Sequence, residues 1–139
     1  MDVAKIRSTA AQSVAASTPT AVAMTTTEFQ RGTGVVAGSS AITVVAGGYY
    51  RIDWGAAWAQ AATAAQAVVS PKVNGAALFL TAPTSMLTQD LNTASSVVAG
   101  NGAVHLLAAG SVVTLEAVHT DSGALDLSAA LAVTKVASL

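Results

Sequence analysis

The chain has 139 residues, room for one domain with a substantial core and little else. Six Lys plus Arg against seven Asp plus Glu leave a net charge of -1, and no basic block or Arg-rich arm offers a footprint for nucleic acid. With no cysteine, disulfide frameworks, thiolate metal sites and a Cys nucleophile are excluded together.

The chain is 53% hydrophobic yet only 9% charged, where a soluble domain usually spends about a quarter of its residues on charge. A membrane span is not expected, because every long uncharged stretch is broken by Ser, Thr, Gly, Asn or Gln. The composition instead predicts a subunit that buries part of its outside against other subunits. Alanine, the commonest residue, raises the hydrophobic fraction without adding much apolar surface.

The opening Met1-Asp2-Val3-Ala4-Lys5-Ile6-Arg7 has no apolar run behind its charges, so no signal peptide is expected. Residues 1–18 are rich in Ala, Ser and Thr and are read as an N-terminal arm or first edge strand, leaving 19–139 as the domain. Strands are predicted at Ala41–Val45 before Gly47-Gly48, at Tyr49–Trp58, and at Ala67–Val73 before Asn74-Gly75. Further strands follow at Val97-Val98, at Ala103–Leu107 after the turn Asn101-Gly102, at Val112–His119, and at Leu125–Val136 after Thr120–Gly123. Short strands separated by Asn-Gly and other turn residues imply an antiparallel sandwich or barrel. Pro19, Pro71 and Pro83 are placed in loops or at strand edges. One stretch is ambiguous: Gly55–Val69 is rich in Ala and Gln, and a short helix there is the alternative to strand. Period-two alternation puts Tyr50, Ile52 and Trp54 on one face, and Leu125, Leu127, Leu131 and Val133 on another.

Gly48-Tyr49-Tyr50-Arg51-Ile52-Asp53-Trp54 resembles the Gly-x-Tyr-x-Phe-x-aromatic strand of the complement-q globular heads, relatives of the tumour necrosis factors. Leu106-Leu107-Ala108-Ala109-Gly110-Ser111-Val112 resembles that family's Leu-x-x-Gly-Asp-x-Val strand pair, with Ser111 where Asp is usual and Ile52 where Phe is commoner. Leu131–Val136 looks like the last strand of the family's bacterial branch. Over nearly the whole chain, the order of Arg7–Val14, Thr20-Ala21-Val22, Glu28-Phe29, Ile42-Thr43-Val44, Gly47–Tyr50 and Ser122–Asp126 is similar to short stand-alone proteins of tailed phages, especially actinobacterial ones. The resemblance implies an all-β, ten-stranded, TNF-like jelly-roll sandwich that packs as a homotrimer, with both termini at one end. It implies attachment by that end, with Ala59–Gln66 and Thr120–Gly123 displayed at the other. Tyr50, Ile52, Trp54, Leu115, Leu127, Leu131 and Val133 are then the expected core and trimer-packing residues.

Candidate chemistry is sparse. His105 and His119 are the only histidines and lack ligand spacing, so both are expected to be ordinary surface or interface residues. Glu116, Asp121 and Asp126 approach one another around the last hairpin, and the resemblance admits calcium near the outer end. Asp121-Ser122-Gly123 is nonetheless good turn chemistry, and a hard cation wants six or more oxygens, so no metal is assigned. Gly32-Thr33-Gly34-Val35-Val36-Ala37-Gly38 has the look of a phosphate loop without its strand–loop–helix setting, and is read as a flexible connection. No Gly-x-Ser-x-Gly elbow occurs. Tyr49 is the aromatic expected outside, where it is a candidate for stacking on a sugar; Tyr50 and Trp54 are expected in the core.

No catalytic residue, cofactor or enzyme activity is therefore assigned. The expected function is structural: a homotrimeric virion surface protein, a capsid decoration or head spike, made without a secretion signal. Its partners would be its own copies and the major capsid protein or another virion protein. The alternative is a tail-tip or fibre-head adhesion module that binds a host-surface glycan or protein. The chain opens on its own Met and lacks the Gly-x-y repeats or heptads of a fibre shaft, which favours the head.

Overall fold

The structure, a computed structural model, describes residues 1–59, 66–77, 87–90 and 96–139, with backbone alone for 87–90 and 96–103. The regular elements among these residues are all strands. They are β1 (Val3–Arg7), β2 (Gln12–Val14), β3 (Thr20–Ala21), β4 (Thr26–Arg31), β5 (Val35–Ala37), β6 (Ile42–Val44) and β7 (Gly48–Trp58). After these come β8 (Gln66–Val73), β9 (Ala76–Ala77), β10 (Leu87–Asp90), β11 (Ser96–Leu107), β12 (Val112–His119) and β13 (Leu125–Ser138).

Two antiparallel sheets form the sandwich. One runs β11-β7-β13-β1-β4, with β2 also on β13; the other runs β10-β8-β12-β6-β5, with β3 on β12 and β9 on β8. Alternation decides what fills the space between them. On β7 the even residues from Tyr50 to Trp58 are buried, and on β13 the odd residues from Leu125 to Val133. β12 contributes Val113, Leu115 and Ala117 from the facing sheet. Each Leu or Val so buried stabilises by about 1.5–3 kcal/mol before ordering costs. The expected core residues Tyr50, Ile52, Trp54, Leu115, Leu127, Leu131 and Val133 are all buried here. All seven lie within the sandwich of the single subunit.

Two expectations change. Residues 1–18 are not an arm, and β1 is not an edge: it pairs with β13 on one side and β4 on the other, carrying Ala4 and Ile6 into the core. Its alternating apolar residues made that possible despite the polar composition around them. Asn101-Gly102 does not end a strand. β11 runs through it, and Asn101 and Val104 pair with Asp53 and Arg51, so Gly102 and Ala103 together oppose Ile52 in a β-bulge. Pro71 sits inside β8, opposite Leu115. β10 pairs with β8 as far as Val69 and β9 from Lys72, so among the described residues nothing needs the hydrogen that the Pro71 nitrogen lacks.

The ambiguous stretch is strand at both flanks, with Gly55–Trp58 in β7 and Gln66–Val69 in β8; residues 60–65 and Pro83 lie outside the described residues. Asn74-Gly75 turns β8 into β9 with both residues at positive φ, 52° and 78°, the geometry a two-residue hairpin turn demands.

Candidate functional site

The outward face of the six-stranded sheet is unusual in what it lacks. The same alternation that buries the core turns Gly55, Ala57, Ser128, Ala130 and Ala132 outward. Strand register then sets small beside small: Gly55 against Ala130, and Ala57 against Ser128. The result is a low floor with shallow hollows. One, of about 230 Å3, is lined by Lys5, Asp53, Gly55, Ala130 and Ala132. A neighbouring one, of about 340 Å3, is lined by Arg7, Ser8, Gly55, Ala57, Ser128 and Ala130. Charge on this face includes two close pairs, with Lys5 Nζ meeting Glu28 at 3.1 Å and Arg51 Nε meeting Asp53 Oδ2 at 2.8 Å, and an exposed Arg7 beside the second hollow. Such a floor lets another protein surface come close to the backbone.

Toward one end this face becomes openly apolar. Tyr49 and Leu106 pair across β7 and β11 and are exposed, Val136 is exposed at the irregularity in β13, and Val104 follows Leu106 along β11. Both termini are here. The Lys135 N–H donates to the Asp2 carbonyl at 2.8 Å, and Leu139 reaches toward Gly47. The Asp2 carboxylate is received by the glycine-rich loop: the Thr33 N–H donates to Oδ1 at 3.1 Å, and the Gly34 N–H also bonds it. These bonds, Gly34's above all, and nearby Lys135 hold the Asp2 carboxyl below its ordinary value, partly offset by desolvation. A Cβ on Gly32 or Gly34 would stand 2.0 or 2.3 Å from Asp2 side-chain oxygens, and Gly32 is at φ +81°. The loop is thus a fitted anion cradle whose occupant comes from the same chain. Its glycines were visible in the sequence, but nothing in their spacing points to a carboxylate at position 2. Tyr50 closes the end from inside, its hydroxyl donating to the Ala46 carbonyl. Burial, then Asp2, raises its phenol above the usual value.

The opposite end is held by His119, which is buried, contrary to the expectation of a surface or interface residue. Its Nδ1 accepts the Asp121 N–H at 3.1 Å, so Nε2 carries the proton and donates to the Val14 carbonyl at 2.7 Å. The ring meets the Trp58 ring edge-on at 5.6 Å between centroids. One imidazole thereby ties β12, β2 and the turn into β13. His105 is half-buried, and burial pulls its pKa down. The three acids considered for calcium do not converge: Glu116 is paired with Lys72 at 2.9 Å, Asp121 is buried, and Asp126 is exposed. Among the described residues no group of three or more His, Asp or Glu could hold a metal. Thr120, Ser122 and Gly123 are exposed at this end, whereas most of Ala59–Gln66 lies outside the described residues. Tyr49 is the exposed tyrosine, but it stands at the end with the termini. Among the described residues no helix is long and apolar enough to cross a membrane.

No protein-family model matches the sequence, and no curated protein matches it significantly. Solved structures do match. Murine APRIL superposes with a TM-score of 0.65 at 19% identity, over 97% of this chain and 98% of that one. The globular domain of zebrafish complement 1qA superposes with a TM-score of 0.65 at 13% identity, over the full length of both. PRD1 vertex protein P5 superposes with a TM-score of 0.62 at 14% identity, over 98% and 97%. At such identities the likeness concerns fold alone, and the fold is the antiparallel jelly-roll sandwich of the TNF and complement-q type.

Proposed function

We propose that this chain is a structural protein of a phage particle, assembling as a homotrimer on the virion surface and acting there as a capsid decoration or head spike. The observation that carries the reading is the small-residue centre of the six-stranded sheet's outer face, Gly55, Ala57, Ser128, Ala130 and Ala132, which leaves a flat surface for a second copy. The 9% charged composition fits the same demand. The likeness to a phage vertex protein over nearly all of both chains supports the virion setting. In this reading, work is done by burial and not by catalysis.

Attachment to the capsid is assigned to the end with the termini. There Val45, Tyr49, Leu106, Val136 and Leu139 form an exposed apolar collar suited to a protein partner. The adhesion alternative needs aromatic surface at the opposite end; among the described residues, the exposed aromatics Phe29 and Tyr49 lie on the six-stranded sheet.

Immunogold labelling of purified particles, with copy number per particle from quantitative mass spectrometry, tests the assignment. Decoration requires many copies over the head and no saturable binding of the purified protein to host cells. Few copies at the tail, with saturable host binding, would give the assignment to adhesion.

A further inference from the structure

We propose that the flat face carries a charge lock between copies, in which the Asp53 carboxylate of one subunit receives the Arg7 guanidinium of a second copy of this chain. The proposal rests on the self-association just assigned and names the contact that sets its register.

Asp53 is only half used within its own subunit. Oδ2 accepts from Arg51 Nε at 2.8 Å, but Oδ1 is buried and has no donor. A carboxylate oxygen taken from water without a donor is costly, and it is the kind of atom that an incoming donor relieves. The Asp53 side chain as a whole is 24% exposed and lines the hollow floored by Gly55, Ala130 and Ala132.

The cations available are few. Lys5, across that hollow, is held by Glu28, and Arg51 already serves Oδ2. Lys72 is paired with Glu116 on the other sheet, and Lys135 lies over the Tyr50 ring at the end with the termini. Arg31 is at the far side of the sheet, on β4. Arg7 borders the adjoining hollow on this same face, is exposed, and makes only a long 3.4 Å contact from Nη1 to the Ser8 carbonyl.

Register keeps Arg7 and Asp53 apart in one chain. Arg7 pairs with Ala130 and Asp53 with Ala132, so β13 lies between them and they are one step out of line. The face therefore offers an unsatisfied acceptor and an uncommitted fork of donors that meet only when a neighbour supplies one of them. In a closed ring of identical subunits the contact repeats at every interface, and a guanidinium suits it by presenting several donors in a fixed plane.

Sedimentation velocity on the full chain tests this with a charge-reversal cycle. Arg7→Asp and Asp53→Arg are each expected to raise the dissociation constant of the assembly by about thirtyfold or more, and the double reversal to restore it to near wild type. Arg7→Gln and Asp53→Asn keep the side-chain shapes if a reversal fails to fold. Combined, they are expected to weaken assembly no more than either does alone. Wild-type-like assembly of both single variants, or losses that simply multiply in the double, overturns the lock while leaving self-association standing. A wild-type monomer at micromolar concentration overturns both.

Discussion

The two outer faces of the sandwich arise from the same alternation and serve opposite ends. On the seven-stranded sheet, β8 and β12 turn out Val68, Lys72, Val112, Thr114, Glu116 and Val118, side chains that cover the backbone, with the small Ser70 among them. Lys72 and Glu116 close a 2.9 Å pair across the strands. On the six-stranded sheet the central outward positions of β7 and β13 are Gly55, Ala57, Ser128, Ala130 and Ala132, flanked by the Lys5–Glu28 and Arg51–Asp53 pairs. A face left in water gains from β-branched packing over its centre. A face trimmed to Gly, Ala and Ser forgoes that self-cover, and the loss is offset when another surface lies on it. For the proposed assembly the contrast favours one face, where composition said only that some surface had to be covered.

The strongest way to break this comparison is to place a bulky charge on each face in turn. Ala132→Arg is expected to weaken assembly by about 2 kcal/mol or more, roughly thirtyfold in dissociation constant. Thr114→Arg, on the other sheet, is expected to stay within about 0.5 kcal/mol of wild type. Light scattering across a dilution series reads both, and equal effects would show that the faces do not differ in role. Core truncation is the control that should ignore the distinction. Trp54→Ala, on the inner side of the flat sheet, is expected to cost about 3–5 kcal/mol, and Leu115→Ala, on the inner side of the other, about 2–5 kcal/mol. Denaturant melts of each variant under conditions that hold the oligomeric state fixed measure this.

A smaller effect is expected at the end remote from the termini. His119→Phe keeps the ring's bulk beside Trp58 but leaves the Val14 carbonyl and the Asp121 N–H without their partner. A loss of about 1–3 kcal/mol is expected, with assembly unchanged because His119 lies inside the sandwich. Loss of assembly at full stability would move the interface to that end.

How much of this was legible from residues alone depended on whether the signal was periodic. β7, β12 and β13 were legible because alternation over eight residues or more leaves one answer for which side is buried. β1 was read only as an arm or an edge strand because five residues amid Ala, Ser and Thr carry too short a period to place it inside a sheet. The Asn101-Gly102 bulge was missed because the same dipeptide serves as turn and as bulge, and only pairing with β7 tells them apart. The flat face was written in the sequence as alternate Gly, Ala and Ser, but those residues look like filler until register sets them side by side. The charge pairs between strands distant in sequence carried no local signal at all.

The smallest effect concerns the anion cradle at the end with the termini, and it sharpens the contrast between a fixed end and a displayed one. Asp2 is held by the N–H groups of Gly34 and Thr33, and these favour its charged form. Its pKa is lower folded than unfolded, so its contribution to stability is present above the ordinary carboxylate range. That contribution fades as pH falls through the unfolded value and is gone below the folded one. Asp2→Asn keeps an oxygen for the Thr33 N–H but removes the charge. The melting temperature of wild type minus that of Asp2→Asn is therefore expected to be positive at neutral pH and to shrink toward zero below about pH 4. Because the carboxylate is reachable by solvent, the difference should also diminish in high salt. Gly34→Ala, which sets a methyl against the Asp2 carboxylate, should abolish the pH-dependent difference by expelling the carboxylate. A difference that persists unchanged at low pH would mean that Asp2 acts through packing, and the loop would revert to a connection between β4 and β5.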